Sequence, residues 1–280
     1  MTQHQTFGYG ISYDDLGQGD TALLLLPGWC ASRQVFHDLP IKLAENHRVL
    51  VLDWRGHGRS VERGGDFGTE QLVADAITVV EASGVRHVIP VALAHAGWVA
   101  IELKRRLAAR VPRLVLMEWL VCDAPTPFRD TLRGLQAPER WQITRDALLT
   151  HWLNGADNAA LRRFLSEDMA LHGFAMWSRA AREIGAAYRQ WGSPLAALAA
   201  LSPALPTLHL YATPDDRAYL ALQQVFAASH PWFTVRKLAA RTHFPMFEDS
   251  TAMAVAIDRF VKLQTEDLVK EIGHARLLRI

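Results

Sequence analysis

Four largely apolar stretches set the frame of the chain: Thr21 to Leu26, His47 to Asp53, Arg86 to Val91 and Arg113 to Trp119. Runs of this length, bounded by turn residues, predict strands buried on both faces of a parallel sheet. Between them the period changes to that of amphipathic helices, over Gln34 to Asn46, Thr69 to Ser83 and Gly97 to Arg110. In the second of these, Leu72, Val73, Ala76, Ile77 and Val80 form one stripe, and Gly84 stands where a C-terminal cap belongs. Phe7 to Tyr13 alternates weakly and predicts an edge strand, closed by a polar turn from Asp14 to Asp20. Strand and helix alternate at crossover lengths. The pattern predicts an α/β fold, a mainly parallel sheet flanked by helices on both faces.

From Asp123 to about Ser202 the rhythm is purely helical, and the segment carries Trp141, Trp152, Trp177 and Trp191. Ligands of open α/β sheets bind beyond the carboxyl ends of the strands, so an inserted helical cap over those ends is expected. Alternation then resumes with strand Thr207 to Tyr211, helix Arg217 to Ser229, strand Thr234 to Leu238 and helix Ser250 to Gln264. The organisation expected is a first core segment at 1–122, the cap at 123–202, a second core segment at 203–264 and a helical tail at 265–280.

Composition narrows the partners. Thirty basic against 29 acidic side chains give a net charge of +1, with no long one-sign run, which argues against nucleic acid or an anionic membrane. The aliphatic run Ala22 to Leu26 is far too short to span a bilayer, and no apolar leader opens the chain. Cys30 and Cys122 lack metal or redox spacing. The twelve histidines show no metal-ligand spacing either. The expectation is a soluble, cytoplasmic protein of unknown oligomeric state, with free thiols and no metal.

The chemistry gathers at strand ends. Val91-Ala92-Leu93-Ala94-His95-Ala96-Gly97-Trp98 has the small-x-nucleophile-x-small shape of the nucleophile elbow of α/β-hydrolases. Ala94 holds the nucleophile position and offers no hydroxyl, thiol or carboxylate, which excludes a covalent acyl-enzyme. Pro27-Gly28-Trp29-Cys30 follows the first buried strand, where the backbone N–H of Trp29 pairs with that of His95 as an oxyanion hole. His243, in Thr242-His243-Phe244-Pro245, follows the last strand in the slot of a catalytic histidine. The histidine needs a carboxylate to orient it. Glu118, at an otherwise apolar strand end, is preferred, because a carboxylate buried there is costly without a partner. Asp215 and Asp216 are the alternative, and either also suits a helix cap. Of the nine tryptophans, a core explains most, but Trp29, Trp152 and Trp177 suit a flat aromatic pocket.

With these residues in place, the chain resembles the cofactor-free 2,4-dioxygenases of 3-hydroxy-4(1H)-quinolones and 3-hydroxy-4-oxoquinaldine, which share the α/β-hydrolase fold. The resemblance runs from Leu23 to about Phe260 and rests chiefly on Pro27-Gly28-Trp29-Cys30, His230-Pro231-Trp232-Phe233 and Thr242-His243-Phe244-Pro245. Met117-Glu118-Trp119-Leu120 and Pro138-Glu139-Arg140-Trp141 add to it, whereas Arg55-Gly56-His57-Gly58 is common across the superfamily. Three positions depart from the family pattern. Ala31 replaces a histidine, Ala94 replaces a serine held to bind substrate, and Glu118 replaces an aspartate. The first two changes enlarge the cavity and make it less polar, which implies a substrate with an alkyl chain at C2.

The resemblance implies that His243, oriented by Glu118, removes the 3-hydroxyl proton. The anion then reacts with O2 without metal or flavin, and the ring opens to carbon monoxide and an N-acylanthranilate. Trp29 and His95 hold the developing oxyanion, while Ala31, Ala94, Trp152 and Trp177 surround the substrate. The partners implied are a small aromatic molecule and O2. Two other readings stay open at the level of sequence: a hydrolase or lyase without a serine nucleophile, and a ligand receptor on the same scaffold.

Overall fold

The computed structural model describes residues 3–6, 10–60 and 65–263. Eight strands form one sheet: β1 (Gln3–Thr6), β2 (Ser12–Leu16), β3 (Thr21–Leu26), β4 (Arg48–Leu52), β5 (His87–Leu93), β6 (Leu114–Met117), β7 (Thr207–Tyr211) and β8 (Phe233–Lys237). Their order is β1-β2-β4-β3-β5-β6-β7-β8. Only the β1-β2 and β2-β4 pairs are antiparallel; the others run parallel. The central strands are buried on both faces, with Ala22 to Leu26 and Leu114 to Met117 at most 1% exposed. This is why they read as apolar runs rather than alternations.

The helices are α1 (Leu39–Ala44), α2 (Thr69–Ser83), α3 (Ala96–Leu107), α4 (Thr126–Leu135), α5 (Trp141–Leu153), α6 (Ala159–Glu167), α7 (Phe174–Trp191), α8 (Pro194–Ala199), α9 (Arg217–Ser229) and α10 (Met246–Lys262). The span between β6 and β7 contains α4 to α8 and no strand. Gly84 closes α2 in the left-handed conformation that a glycine adopts without a Cβ penalty. No helix of the described residues is long and apolar enough to cross a membrane.

Two segments differ from the sequence pattern. Of the strand expected over Phe7 to Tyr13, Ser12 and Tyr13 open β2, which reaches into the expected turn as far as Leu16; residues 7–9 lie outside those described. Asp14 and Asp15 were turn signals, but each pairs with an arginine, Asp14 with Arg33 (2.9 Å) and Asp15 with Arg48 (2.7 Å), and so is accommodated in a strand. The single helix expected over Gln34 to Asn46 is broken into a 3₁₀ turn, Arg33–Phe36, and α1. His37, with φ 52°, turns the chain between them, and Pro40 lies in the first turn of α1, where its missing N–H costs nothing. The tail at 265–280 lies outside the described residues.

Candidate active site

The site forms where β3, β5, β6 and β7 end. Three non-glycine residues there have left-handed backbone: Cys30 after β3 (φ 59°), Ala94 after β5 (φ 49°) and Glu118 after β6 (φ 49°). Each such residue costs about 1–3 kcal/mol and persists only where its surroundings impose it. At the elbow, Ala92 and Ala96 are buried, and the Ala94 N–H donates to the Met117 carbonyl (2.7 Å), tying the turn to β6. A Cβ at Gly97 would lie 2.3 Å from the Trp119 ring, so only glycine lets the helix pass this close. Ala94 sits at the apex without a nucleophilic atom.

Glu118 and His243 meet. Glu118 Oε2 lies 3.5 Å from His243 Nδ1, and the carboxylate is fully buried. Its oxygens accept the Ala212 N–H, the Thr213 N–H (3.2 Å) and the Thr213 hydroxyl (2.8 Å). The Thr213 hydroxyl oxygen also stands 3.3 Å from His243 Nδ1. With two acceptor oxygens facing Nδ1, the proton of a neutral His243 belongs there, which leaves Nε2 as the basic nitrogen. The His243 backbone N–H donates to the Trp152 carbonyl (3.0 Å), and the Trp152 ring stacks on the imidazole at 5.0 Å and 12°. Asp215 and Asp216 are elsewhere engaged. Asp215 pairs with Lys237, and Asp216 caps α9 by accepting the Ala218 N–H (2.7 Å).

The oxyanion candidates are also in place. The N–H groups of Trp29 and His95 donate to no protein group among the described residues. The His95 side chain accepts the Trp119 indole N–H at Nδ1 (3.3 Å) and stacks on Phe128 at 5.5 Å. Burial, reinforced by His243 nearby, pushes its pKa down to about 3, so it is neutral with the proton on Nε2.

A cavity of about 420 Å³ unites these groups, with Trp29, Ala31, Ala94, His95, Glu118 and His243 at the strand ends. Trp152 and Trp177 stand on its cap side, where Leu132, Leu135, Leu148, Ala180 and Ile184 extend it as an apolar wall. Trp177 is 3% exposed, and its indole N–H has no acceptor among the described residues. A buried donor left unpaired is uncommon and is available to a ligand.

Two contributors were missed by sequence reasoning. Thr213 bridges the dyad, and Glu248 accepts from the Thr242 N–H (2.8 Å), the Thr242 hydroxyl (2.6 Å) and the Arg241 N–H (3.0 Å), which holds the histidine loop. Glu248 lies six positions after Thr242, and a threonine beside the histidine with a carboxylate at the next helix start was the available signal.

The alpha/beta hydrolase family profile matches residues 23–256. The chain is 39% identical, over 92% of its length and 97% of the relative's, to the 2-heptyl-3-hydroxy-4(1H)-quinolone dioxygenase of Mycobacteroides abscessus. It is 36% identical to the 1H-3-hydroxy-4-oxoquinoline 2,4-dioxygenase of Pseudomonas putida, over 90% of this chain and 96% of that one. Among solved structures, an AqdC variant in complex with its substrate, the Pseudomonas quinolone signal, superposes with a TM-score of 0.87 at 36% identity. That match covers 94% of this chain and 100% of the other. The fold is that of the alpha/beta hydrolase family. Within it, the chain belongs to the 3-hydroxy-4-quinolone dioxygenases.

Proposed function

We propose that this protein cleaves the heterocyclic ring of 2-alkyl-3-hydroxy-4(1H)-quinolones with O2, releasing carbon monoxide and an N-acylanthranilate. The observation that carries the reading is a histidine–carboxylate dyad facing an elbow that has no nucleophile. An ester hydrolase that works through an acyl-enzyme on this fold needs a nucleophile at that apex. A base that removes an acidic hydroxyl proton does not.

In this mechanism His243 Nε2 takes the 3-hydroxyl proton, and Glu118 with Thr213 stabilises the imidazolium. The electron-rich anion reduces O2 itself and forms a C2 peroxide, so the organic substrate supplies the electrons that a flavin or metal supplies elsewhere. The peroxide attacks the C4 carbonyl, and the Trp29 and His95 amides hold the oxyanion that develops. Breaking the C2–C3, C3–C4 and O–O bonds expels C3 as carbon monoxide. One O2 oxygen ends in the amide carbonyl and the other in the carboxylate, so the atoms balance. Trp152 and Trp177 enclose the bicycle and exclude water from the anion. The apolar wall from Leu132 to Ile184 accepts the alkyl chain, and its lining supports a long substituent. The reaction takes place in the cytoplasm, where both cysteines remain thiols.

The test is turnover of 2-heptyl-3-hydroxy-4(1H)-quinolone by chelator-treated enzyme under 18O2. The reading predicts one carbon monoxide per substrate and two labelled oxygens in N-octanoylanthranilate. Unlabelled product, or hydrolysis without gas release, contradicts it.

A further inference from the structure

The oxyanion loop is held from behind by four side chains. The Trp54 indole N–H donates to the Pro27 carbonyl (2.7 Å), and His57 Nε2 accepts the Cys30 N–H (3.1 Å). Asp168, between α6 and α7, accepts the Ser32 N–H (2.9 Å), and Asp53 accepts the Arg33 N–H (2.7 Å). Three of these anchors, Asp53, Trp54 and His57, come from the Asp53-to-Ser60 loop, whose Arg-Gly-x-Gly pattern is common to the superfamily and discriminates little. Of the three, Trp54 and His57 bracket Trp29.

His57 is the anchor next to the reacting end. It is 1% exposed, with the Trp29 ring edge-on at 6.3 Å and His172 at 4.7 Å. Its tautomer follows from its partners. Nδ1 faces the Arg55 carbonyl at 2.9 Å, which only accepts, while Nε2 faces an amide N–H, which only donates. The proton therefore sits on Nδ1 and the lone pair on Nε2. Burial, with His172 and Arg179 nearby, pushes the pKa down to about 3, so the acceptor survives well into acid. The residue it holds, Cys30, has the left-handed backbone that a residue with a Cβ adopts only under constraint.

We propose that His57 is a positioning residue for ring cleavage: by accepting the Cys30 amide it fixes the Trp29–Cys30 peptide and aims the Trp29 N–H at the developing oxyanion. The inference rests on the dioxygenase reading. It separates two roles that a buried histidine combines, filling volume and accepting one hydrogen bond. Phenylalanine keeps the volume and removes the acceptor, whereas glutamine restores an acceptor near the Nε2 position.

The experiment has an NMR arm and a kinetic arm. Long-range 1H–15N correlation on wild-type protein is expected to show His57 as the Nδ1–H tautomer, unprotonated at Nε2 from pH 8 to pH 5. In anaerobic mixing with 2-heptyl-3-hydroxy-4(1H)-quinolone, His57→Phe is expected to bind within about threefold of wild type. On admission of O2 its ring-opening rate is expected to fall about 10- to 100-fold, the scale of a misaimed catalytic group. His57→Gln is expected to recover the rate to within about threefold of wild type, because a donor is again held in its productive direction. An Nε2–H tautomer, an imidazolium in that pH range, a His57→Phe rate equal to wild type, or a glutamine variant as slow as phenylalanine overturns the proposal. If His57→Phe does not fold, the tautomer and the glutamine variant decide. A wild-type enzyme that yields no acylanthranilate contradicts the dioxygenase reading, a failure distinct from one confined to the variants.

Discussion

Glu118 Oε2 and His243 Nδ1 lie 3.5 Å apart with the Thr213 hydroxyl within hydrogen-bond reach of both, although the carboxylate follows β6 and the histidine follows β8. Glu118 receives three donors besides the imidazole, so its carboxylate is fully engaged as an acceptor. Glu118→Gln forces an NH2 group against those donors. The expected outcome is a loss of about 1–3 kcal/mol of stability, read by chemical denaturation, with ring cleavage slowed about 10²- to 10⁴-fold. Near-wild-type turnover in a folded variant contradicts the assignment of Glu118 as the orienting acid.

The orphan indole N–H of Trp177 gives a prediction in which stability and affinity part company. Trp177→Phe keeps an aromatic ring and removes a donor that has no protein partner. Losing an unpaired donor costs the free enzyme nothing, whereas losing a substrate hydrogen bond costs about 0.5–1.5 kcal/mol, or about 2- to 13-fold in affinity. The melting temperature is expected to hold or rise while the anaerobic dissociation constant increases. Unchanged affinity means that the N–H does not meet the substrate.

Chain-length selectivity follows from the apolar wall. Ala180→Phe places a ring in the cap side of the cavity. It is expected to lower kcat/KM for the 2-heptyl quinolone at least about tenfold, the effect of about 1.4 kcal/mol, and to spare the 2-methyl compound. Competition assays with both substrates read this directly. Equal losses place the alkyl chain elsewhere.

Buried histidines set the acid limit of stability. Burial pushes His57 and His95 down to about 3 and His209 to about 4, against about 6.5 in the unfolded chain. Between those values the unfolded state binds protons that the folded state does not, so stability falls as pH falls. Above the unfolded value both states are neutral and the contribution is flat. From pH 7.5 to pH 5.5 the loss is expected to be about 1.4 kcal/mol for each histidine, about 4 kcal/mol for the three together. Urea titrations at the two pH values check it; equal or greater stability at pH 5.5 contradicts it.

Much of this architecture was legible because it is local. Thr69–Ser83, Thr207–Tyr211 and Arg217–Ser229 match the elements expected from hydrophobic period and capping residues. Glu118 stood out because a charge in an apolar strand end demands a partner. What stayed hidden depends on tertiary neighbours. Asp14 and Asp15 read as a turn because the arginines that pair with them lie 19 and 33 positions away. Thr213 belongs to no motif, and Trp152 stacks on His243 through a cap-to-core contact that no periodicity records. His57 lay in a motif too common to discriminate, yet its single acceptor atom reaches the loop beside Trp29.

The most direct test of the account concerns the proton that His243 removes. Wild-type protein mixed anaerobically with 2-heptyl-3-hydroxy-4(1H)-quinolone is expected to give the absorption shift of the bound anion, and His243→Ala is expected to bind the substrate without that shift. Admission of air then yields carbon monoxide and acylanthranilate in the wild type, with the variant slower by about 10²- to 10⁴-fold. An anion that forms equally well in His243→Ala, or a wild type that binds the neutral quinolone and never opens its ring, contradicts the central claim.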